Sequence, residues 1–150
     1  MTNFENIING YHIQIPIIQR DYAQGRNGED IKEIRNNFLS TIFNHLNENK
    51  KLHLDFVYGS IKHSADKKYF IPLDGQQRLT TLFLFYWYFG LKEKIDIEYL
   101  VNFTYETRSS SREFCNKLIS ANIDFTSCDL IKQIKNSSWF MPFWDNDPTV

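Results

Sequence analysis

From Leu79 to Leu91 nearly every residue is Leu, Phe, Tyr or Trp, broken by Thr80, Thr81 and Gly90. The run is too short to cross a bilayer, which takes about 20 residues. Protein must therefore bury it. A helix that is apolar on nearly every side is packed between other elements rather than laid on one surface. The spacing predicts this helix from Gln76 to about Phe89, with Gly90 as its stop. The 13 Phe, 8 Tyr and 3 Trp make 16% of the chain, so large flat side chains fill much of the interior.

The segments around the run complete the outline. Tyr11 to Pro16 alternates, with Ile13 and Ile15 on one face, and predicts a short strand ended by proline. Gln24-Gly25-Arg26-Asn27-Gly28 favours an irregular, exposed loop. From Glu29 the period turns helical through Ile31, Ile34, Phe38, Ile42 and Leu46, ending near Asn47 to Lys50. Leu54 to Lys62 and Lys68 to Leu73 are rich in β-formers and flank His63-Ser64-Ala65-Asp66-Lys67, which predicts an antiparallel hairpin. The second half is more helical. It carries a strand at Tyr99 to Tyr105, a helix opening at Ser110 with a Ser110/Glu113 capping box, and another helix opening near Thr126 or Ser127. Asp147-Pro148 has the form of an N-cap followed by the first helical proline, two residues before the sequence ends, so the sequence reads as part of a longer protein.

Composition narrows the function classes. With 150 residues, 42% hydrophobic and 23% charged, the chain suits one soluble globular domain and not a disordered one. Seventeen Lys and Arg against 18 Asp and Glu give a net charge of −1, so no overall basic field marks a nucleic-acid coat or a membrane-surface protein. Phosphate binding must be local. Cys115 and Cys128 form no C-x-x-C pair and fit a cytoplasmic location. Met1 to Gly10 lacks the basic start and apolar run of a signal peptide. His12, His45, His53 and His63 are scattered, and His53 with Asp55 is weak ground for a metal site. There is no G-x-x-x-x-G-K-[ST], so triphosphate chemistry would not be of the P-loop kind.

The chemistry concentrates in Asp74-Gly75-Gln76-Gln77-Arg78, where a strand ends and a helix begins. Free backbone N–H groups and the positive end of the helix dipole point out there and attract anions. Gly75 lets a phosphate approach the backbone, Gln76 and Gln77 offer amides, and Arg78 offers a fork-shaped cation. Asp74 would repel phosphate unless a divalent cation bridges the two or the carboxylate works on a water or hydroxyl. A second reading of the same spacing is a helical capping box, Asp74 as N-cap and Gln77 three residues on. Gln19, Arg20 and Tyr22 supply an amide, a cation and an aromatic ring ahead of a Gly-rich turn, a set that suits a nucleotide. Arg20 paired with Asp21, and Tyr22 packed on the surface, are the structural alternative.

Three strings, Pro16-Ile17-Ile18-Gln19-Arg20-Asp21-Tyr22, Phe56-Val57-Tyr58-Gly59-Ser60-Ile61 and Leu73-Asp74-Gly75-Gln76-Gln77-Arg78-Leu79-Thr80-Thr81-Leu82, resemble the N-terminal domain of GmrSD-type modification-dependent restriction proteins. Tyr105-Glu106-Thr107-Arg108, Ser110 to Phe114 and Trp144 to Thr149 are similar as well, so the likeness spans essentially the whole chain. It implies an α+β fold with a ParB/sulfiredoxin-like core, a small mixed sheet packed by helices. Residues 1–95 would form the nucleotide-binding core and 96–150 a helical extension truncated at its C-terminus. It also implies that the domain binds and hydrolyses nucleoside triphosphates, meets DNA through the full-length protein, and is coupled to a nuclease domain absent from this chain. Relatives act in bacterial defence against phage DNA with modified bases or backbone.

Carried over by position, Asp74, Gln77 and Arg78 are the catalytic candidates. Gln19, Arg20, Tyr22, Gly75, Gln76 and Arg108 are the nucleotide-binding candidates, with Ser110 a weaker one. Asp74 is the ligand for Mg2+ or another divalent cation. Two readings follow, an NTPase module and a non-enzymatic sensor that grips a DNA phosphate or modification and relays binding to an effector domain. A purely structural interaction domain is the third. The first requires the stretches near residues 20 and 75 to face one another across a cleft.

Overall fold

Lys67–Asp74 (β3) is the longest strand of one mixed sheet, and its neighbours explain where each segment goes. The computed structural model describes residues 3–16, 28–54, 56–106, 108–126, 129–147 and 150. His12–Ile15 (β1) lies parallel to β3, with His12 opposite Tyr69 and Ile13 opposite Phe70. Tyr58–Ser64 (β2) pairs antiparallel on the other side of β3, and Phe103–Tyr105 (β4) runs parallel to β1. The order is β2-β3-β1-β4. The fold is α+β, as expected.

The hairpin turn is tighter than the sequence suggests, because the strands pair down to Ser64 and Lys67. Ala65, at φ 50°, and Asp66 form the two-residue loop, a conformation that matches the twist of paired strands. β2 begins at Tyr58 rather than Leu54. β4 is also shorter than predicted, since Glu98–Asn102 winds into a 3-10 turn that buries Leu100.

Phe4–Gly10 (α1), for which the sequence carried no prediction, is capped by Asn3, whose Oδ1 accepts the Asn6 N–H at 2.7 Å, and buries Phe4 and Ile8. Glu29–Asn47 (α2) follows the predicted period. Among the described residues, however, its only buried side chain is Ile42, while Ile34 and Leu46 are exposed. Its Phe43 ring lies 6.4 and 6.1 Å from those of Phe85 and Phe89.

Gln76–Glu93 (α3) is the buried helix. It does not stop at Gly90 but runs on to a left-handed cap at Lys94. A Cβ at Gly90 would stand 2.1 Å from Ile97 Cγ2, so this glycine lets the following segment pack against the helix. Leu79, Phe83 and Trp87 meet Ile13, Ile15 and Phe103 from the sheet, Phe4 and Ile8 from α1, and Leu118 from Ser109–Ile119 (α4). Phe83 stacks on Phe103 at 4.7 Å, and Trp87 Nε1 donates to the Leu118 carbonyl at 2.7 Å, giving the indole the partner that a buried N–H needs.

The next helix, Leu130–Lys135 (α5), is capped by Asp129, which accepts from the Lys132 N–H. It opens later than predicted because Thr126 is already bonded to Asp124; Ser127 lies outside the described residues. Phe114, Trp139, Phe140 and the buried Trp144 form an aromatic cluster behind α4. Among the described residues no helix is long and apolar enough to cross a membrane.

Candidate functional site

Because β3, β1 and β4 run in one direction, they end along one edge of the sheet. β3 stops at Asp74, β1 at Ile15, and β4 at Tyr105, with the Glu106 N–H donating to the Ile15 carbonyl at 2.9 Å. The segments after the three strands carry D-G-Q-Q-R, Q-R-D-Y and the Arg108 stretch. The carboxyl edge of an open α/β sheet is where ligands bind. Gln19, Arg20 and Tyr22 lie outside the described residues, and so does the expected facing of their loop and Gly75.

Gly75 takes φ 87°, ψ 10°, the left-handed region that favours glycine, and occupies the N-cap position of α3. The capping-box reading of Asp74 is therefore overturned. The strand continues through Asp74, which pairs opposite Tyr58, and the residue at the cap has no side chain. The Asp74 carboxylate instead accepts from Arg78 Nη2 at 3.2 Å. Gly75 has no side chain with which to cap the first turn of α3, and the positive end of the helix dipole stands at the sheet edge.

The two distinctive strings interlock. Val57 lies over Gly75, where a Cβ would come 2.7 Å from Val57 Cγ2. Arg78 Nη2 also donates to the Phe56 carbonyl at 2.5 Å. A register shift at Tyr58/Gly59 brings Gly59 so close to β3 that a Cβ there would meet the Ile71 carbonyl oxygen at 2.1 Å. Gln76 is buried and gives its amide to the Pro72 carbonyl at 3.0 Å. Gln77 is half-buried, and its carbonyl accepts the Thr81 hydroxyl at 2.9 Å. Asp74, at 58% side-chain exposure against 22% for Arg78, is the carboxylate that faces solvent. The sequence reading placed Phe56, Val57 and Gly59 in a strand and in one of the family-like strings, without a role at the site.

Arg108 serves as the backbone N-cap of α4. Ser110 is not the cap of a box with Glu113. It lies inside the first turn, and its hydroxyl donates to the Asp147 carboxylate, joined there by Ser111 at 2.9 Å. Asp147 thus fastens the segment after Trp144 to α4; Pro148, the first helical proline expected after it, lies outside the described residues. Cys115 is buried, and burial, helped by Asp147, pushes its thiol up to about 12, which leaves it inert as a nucleophile. Among the described residues, no group of three or more His, Cys, Asp or Glu side chains could hold a metal.

An α+β domain whose three parallel strands end along one sheet edge, with Asp74 and the start of α3 at that edge, is the class that fold and site define. The family model described as GmrSD restriction endonuclease, N-terminal domain, matches residues 3–144, and the chain belongs to that family. It is thus a restriction-protein component. No curated protein and no solved structure matches it.

Proposed function

We propose that this domain binds a nucleoside triphosphate at the carboxyl edge of the sheet and hydrolyses it to the diphosphate and phosphate, as the regulatory part of a restriction protein in bacterial defence against modified phage DNA. The nuclease would reside in another domain of that protein. One observation carries the reading: the solvent-facing Asp74 carboxylate stands beside the first turn of the 18-residue helix α3, whose N-cap is a glycine with no side chain. The N–H groups of that turn meet phosphate oxygens, and Arg78 holds Asp74 in place and offsets its charge. A Mg2+ ion brought in with the triphosphate would supply charge neutralisation, with Asp74 as its protein ligand. The donor set fits, since Mg2+ combines one or two carboxylates with phosphate oxygens and water. Asp74 orients the attacking water, and Arg78 and the helix turn stabilise charge that develops on the phosphate; the roles the family resemblance gives Gln19, Arg20, Tyr22 and Arg108 are contacts to the base and phosphates.

A second reading has its own support. Val57 covers the Gly75 backbone and Gln76 is turned inward, so part of the motif is architectural and unavailable to hydrolysis, which favours a sensor that grips a DNA phosphate or modification and relays the binding. Nucleotide binding by calorimetry and phosphate release should be measured on the wild type, Asp74→Ala and Arg78→Ala. Under the NTPase reading turnover falls about a hundredfold or more in folded Asp74→Ala. Unchanged turnover in both folded variants removes the motif from the mechanism. Salt-sensitive duplex binding that is indifferent to nucleotide, with no phosphate release in the wild type, leaves the sensor of DNA phosphate or modification.

A further inference from the structure

The amino end of β3 carries a second polar site. A cavity of about 300 Å³ opens where α1 gives way to β1 and the hairpin turn folds back, lined among others by Asn9, His12, Asp66, Lys67, Lys68 and Asn102. That volume is at the lower end of small-ligand sites and accommodates a phosphate with part of a sugar. Lys62 and His63 stand on β2, directly across from Tyr69 and Lys68. Asp66 is the single acidic residue in the turn, and among the described residues no carboxylate pairs with Lys62, Lys67 or Lys68. His12 lies close enough to Lys67 for that charge to lower its pKa, after the larger lowering by burial.

Beside the cavity the register sets His12, Tyr69 and Lys62 in one row across three strands. They alternate with Ile13, Phe70 and Ile61, so the row lies on the sheet face away from the buried Ile13. The rings of His12 and Tyr69 are 5.3 Å apart and only half-buried. Unpaired ammonium groups, amides and an aromatic row fit a sugar-phosphate strand. An apolar protein surface or a membrane would need exposed hydrophobic residues that the cavity does not offer. Seven residue steps of about 3.3 Å place the cavity roughly 23 Å from Asp74, outside reach of a nucleotide held at the other end.

We propose that this amino-edge site binds the DNA backbone, with phosphates against Lys67 and Lys68 and the His12–Tyr69 row alongside. The assignment uses the restriction-protein family but no nucleotide chemistry at Asp74. The test compares binding of a 20-base-pair duplex to the wild-type chain, to Lys67→Glu/Lys68→Glu, and to Lys92→Glu/Lys117→Glu, which makes the same charge change away from the cavity. Circular dichroism checks that each is folded. The hairpin variant should bind at least tenfold more weakly, with a salt dependence shallower by about two phosphate contacts, while the control changes less than threefold. In the wild type the His12 ring should titrate at higher pH once duplex is bound, an effect that a merely structural lysine pair would not produce. No duplex binding at low salt, equal losses in the two double variants, an unmoved His12 titration, or inorganic phosphate competing as effectively as DNA would each overturn the proposal. Phosphate release measured on the same samples keeps the two sites separate. Turnover retained in the hairpin variant with DNA binding lost supports this assignment whatever the Asp74 variants do, and turnover lost with DNA binding intact overturns it.

Discussion

At the carboxyl end of β3, Gln76 gives its amide to Pro72, Arg78 reaches both Phe56 and Asp74, and Val57 closes over Gly75. At its amino end, Lys67 and Lys68 line a cavity, with no carboxylate paired to them among the described residues. The more distinctive sequence therefore belongs to the more self-contained end. A string such as D-G-Q-Q-R is restrictive partly because its residues hold one another, so its specificity cannot be divided evenly among ligand contacts. Only Asp74 keeps a largely exposed side chain. The lysine-bearing turn has no comparable sequence signature, yet its polar groups are the ones left over for a partner.

The largest effects should come from the close approaches at the carboxyl end. Gly59→Ala sets a Cβ 2.1 Å from the Ile71 carbonyl oxygen and 2.7 Å from Pro72 Cα, both backbone, and should cost about 3 kcal/mol by forcing β2 from β3. Gly75→Ala combines a left-handed φ with the Val57 contact and should cost about 2 kcal/mol. Gly10→Ala has open space and no positive φ, and should stay within about 0.5 kcal/mol. Urea unfolding midpoints measure all three. A Gly75→Ala protein as stable as Gly10→Ala would mean that the interlock yields easily and the contrast between the two ends is false.

A smaller effect separates architecture from chemistry within the motif. Gln76→Ala removes a buried hydrogen bond and leaves the Pro72 carbonyl without that donor, which should cost about 1–2 kcal/mol. Asp74→Asn weakens an ion pair open to solvent on the Asp74 side and should shift stability by less than about 0.5 kcal/mol. Nucleotide turnover should follow the opposite order and be lost in Asp74→Asn. Equal stability losses in the two variants would place Asp74 with the scaffold.

The strand-to-helix junction at residue 74 was legible because the period changes from two to helical there, and the all-round apolar run required burial. What escaped the sequence depends on distant neighbours. Ser110 and Glu113 satisfy a local capping pattern, but the Ser110 hydroxyl goes to Asp147, 37 residues on. Gly90 looks like a stop by composition and is in fact a clearance for Ile97. α1 has seven residues, too few for a periodic signal to stand out. At the site, the positions of Asp74 and Gly75 followed from local pattern. The partners of Gly75 and Arg78 did not, since Phe56 and Val57 reach them only once the hairpin has formed.

The smallest effect tests the electrostatic contrast directly. His12 holds its proton less tightly in the folded chain than at its ordinary value of 6.5, first through burial and then through Lys67. Among the described residues, Lys62, Lys68, Asp66, Tyr11 and Tyr69 are further titratable groups near it. On acidification the unfolded chain therefore takes up this proton first. The stability His12 contributes is complete above pH 6.5, declines as the pH falls through 6.5 toward the lowered folded value, and declines no further below that. Between pH 7.5 and 5.5 the wild type should lose more stability than His12→Gln, and Lys67→Gln should lie between them because it leaves the burial contribution in place. Identical pH slopes for all three in urea unfolding would show that the lysine field does not reach the ring, and the amino end would then be no more electropositive than its counterpart.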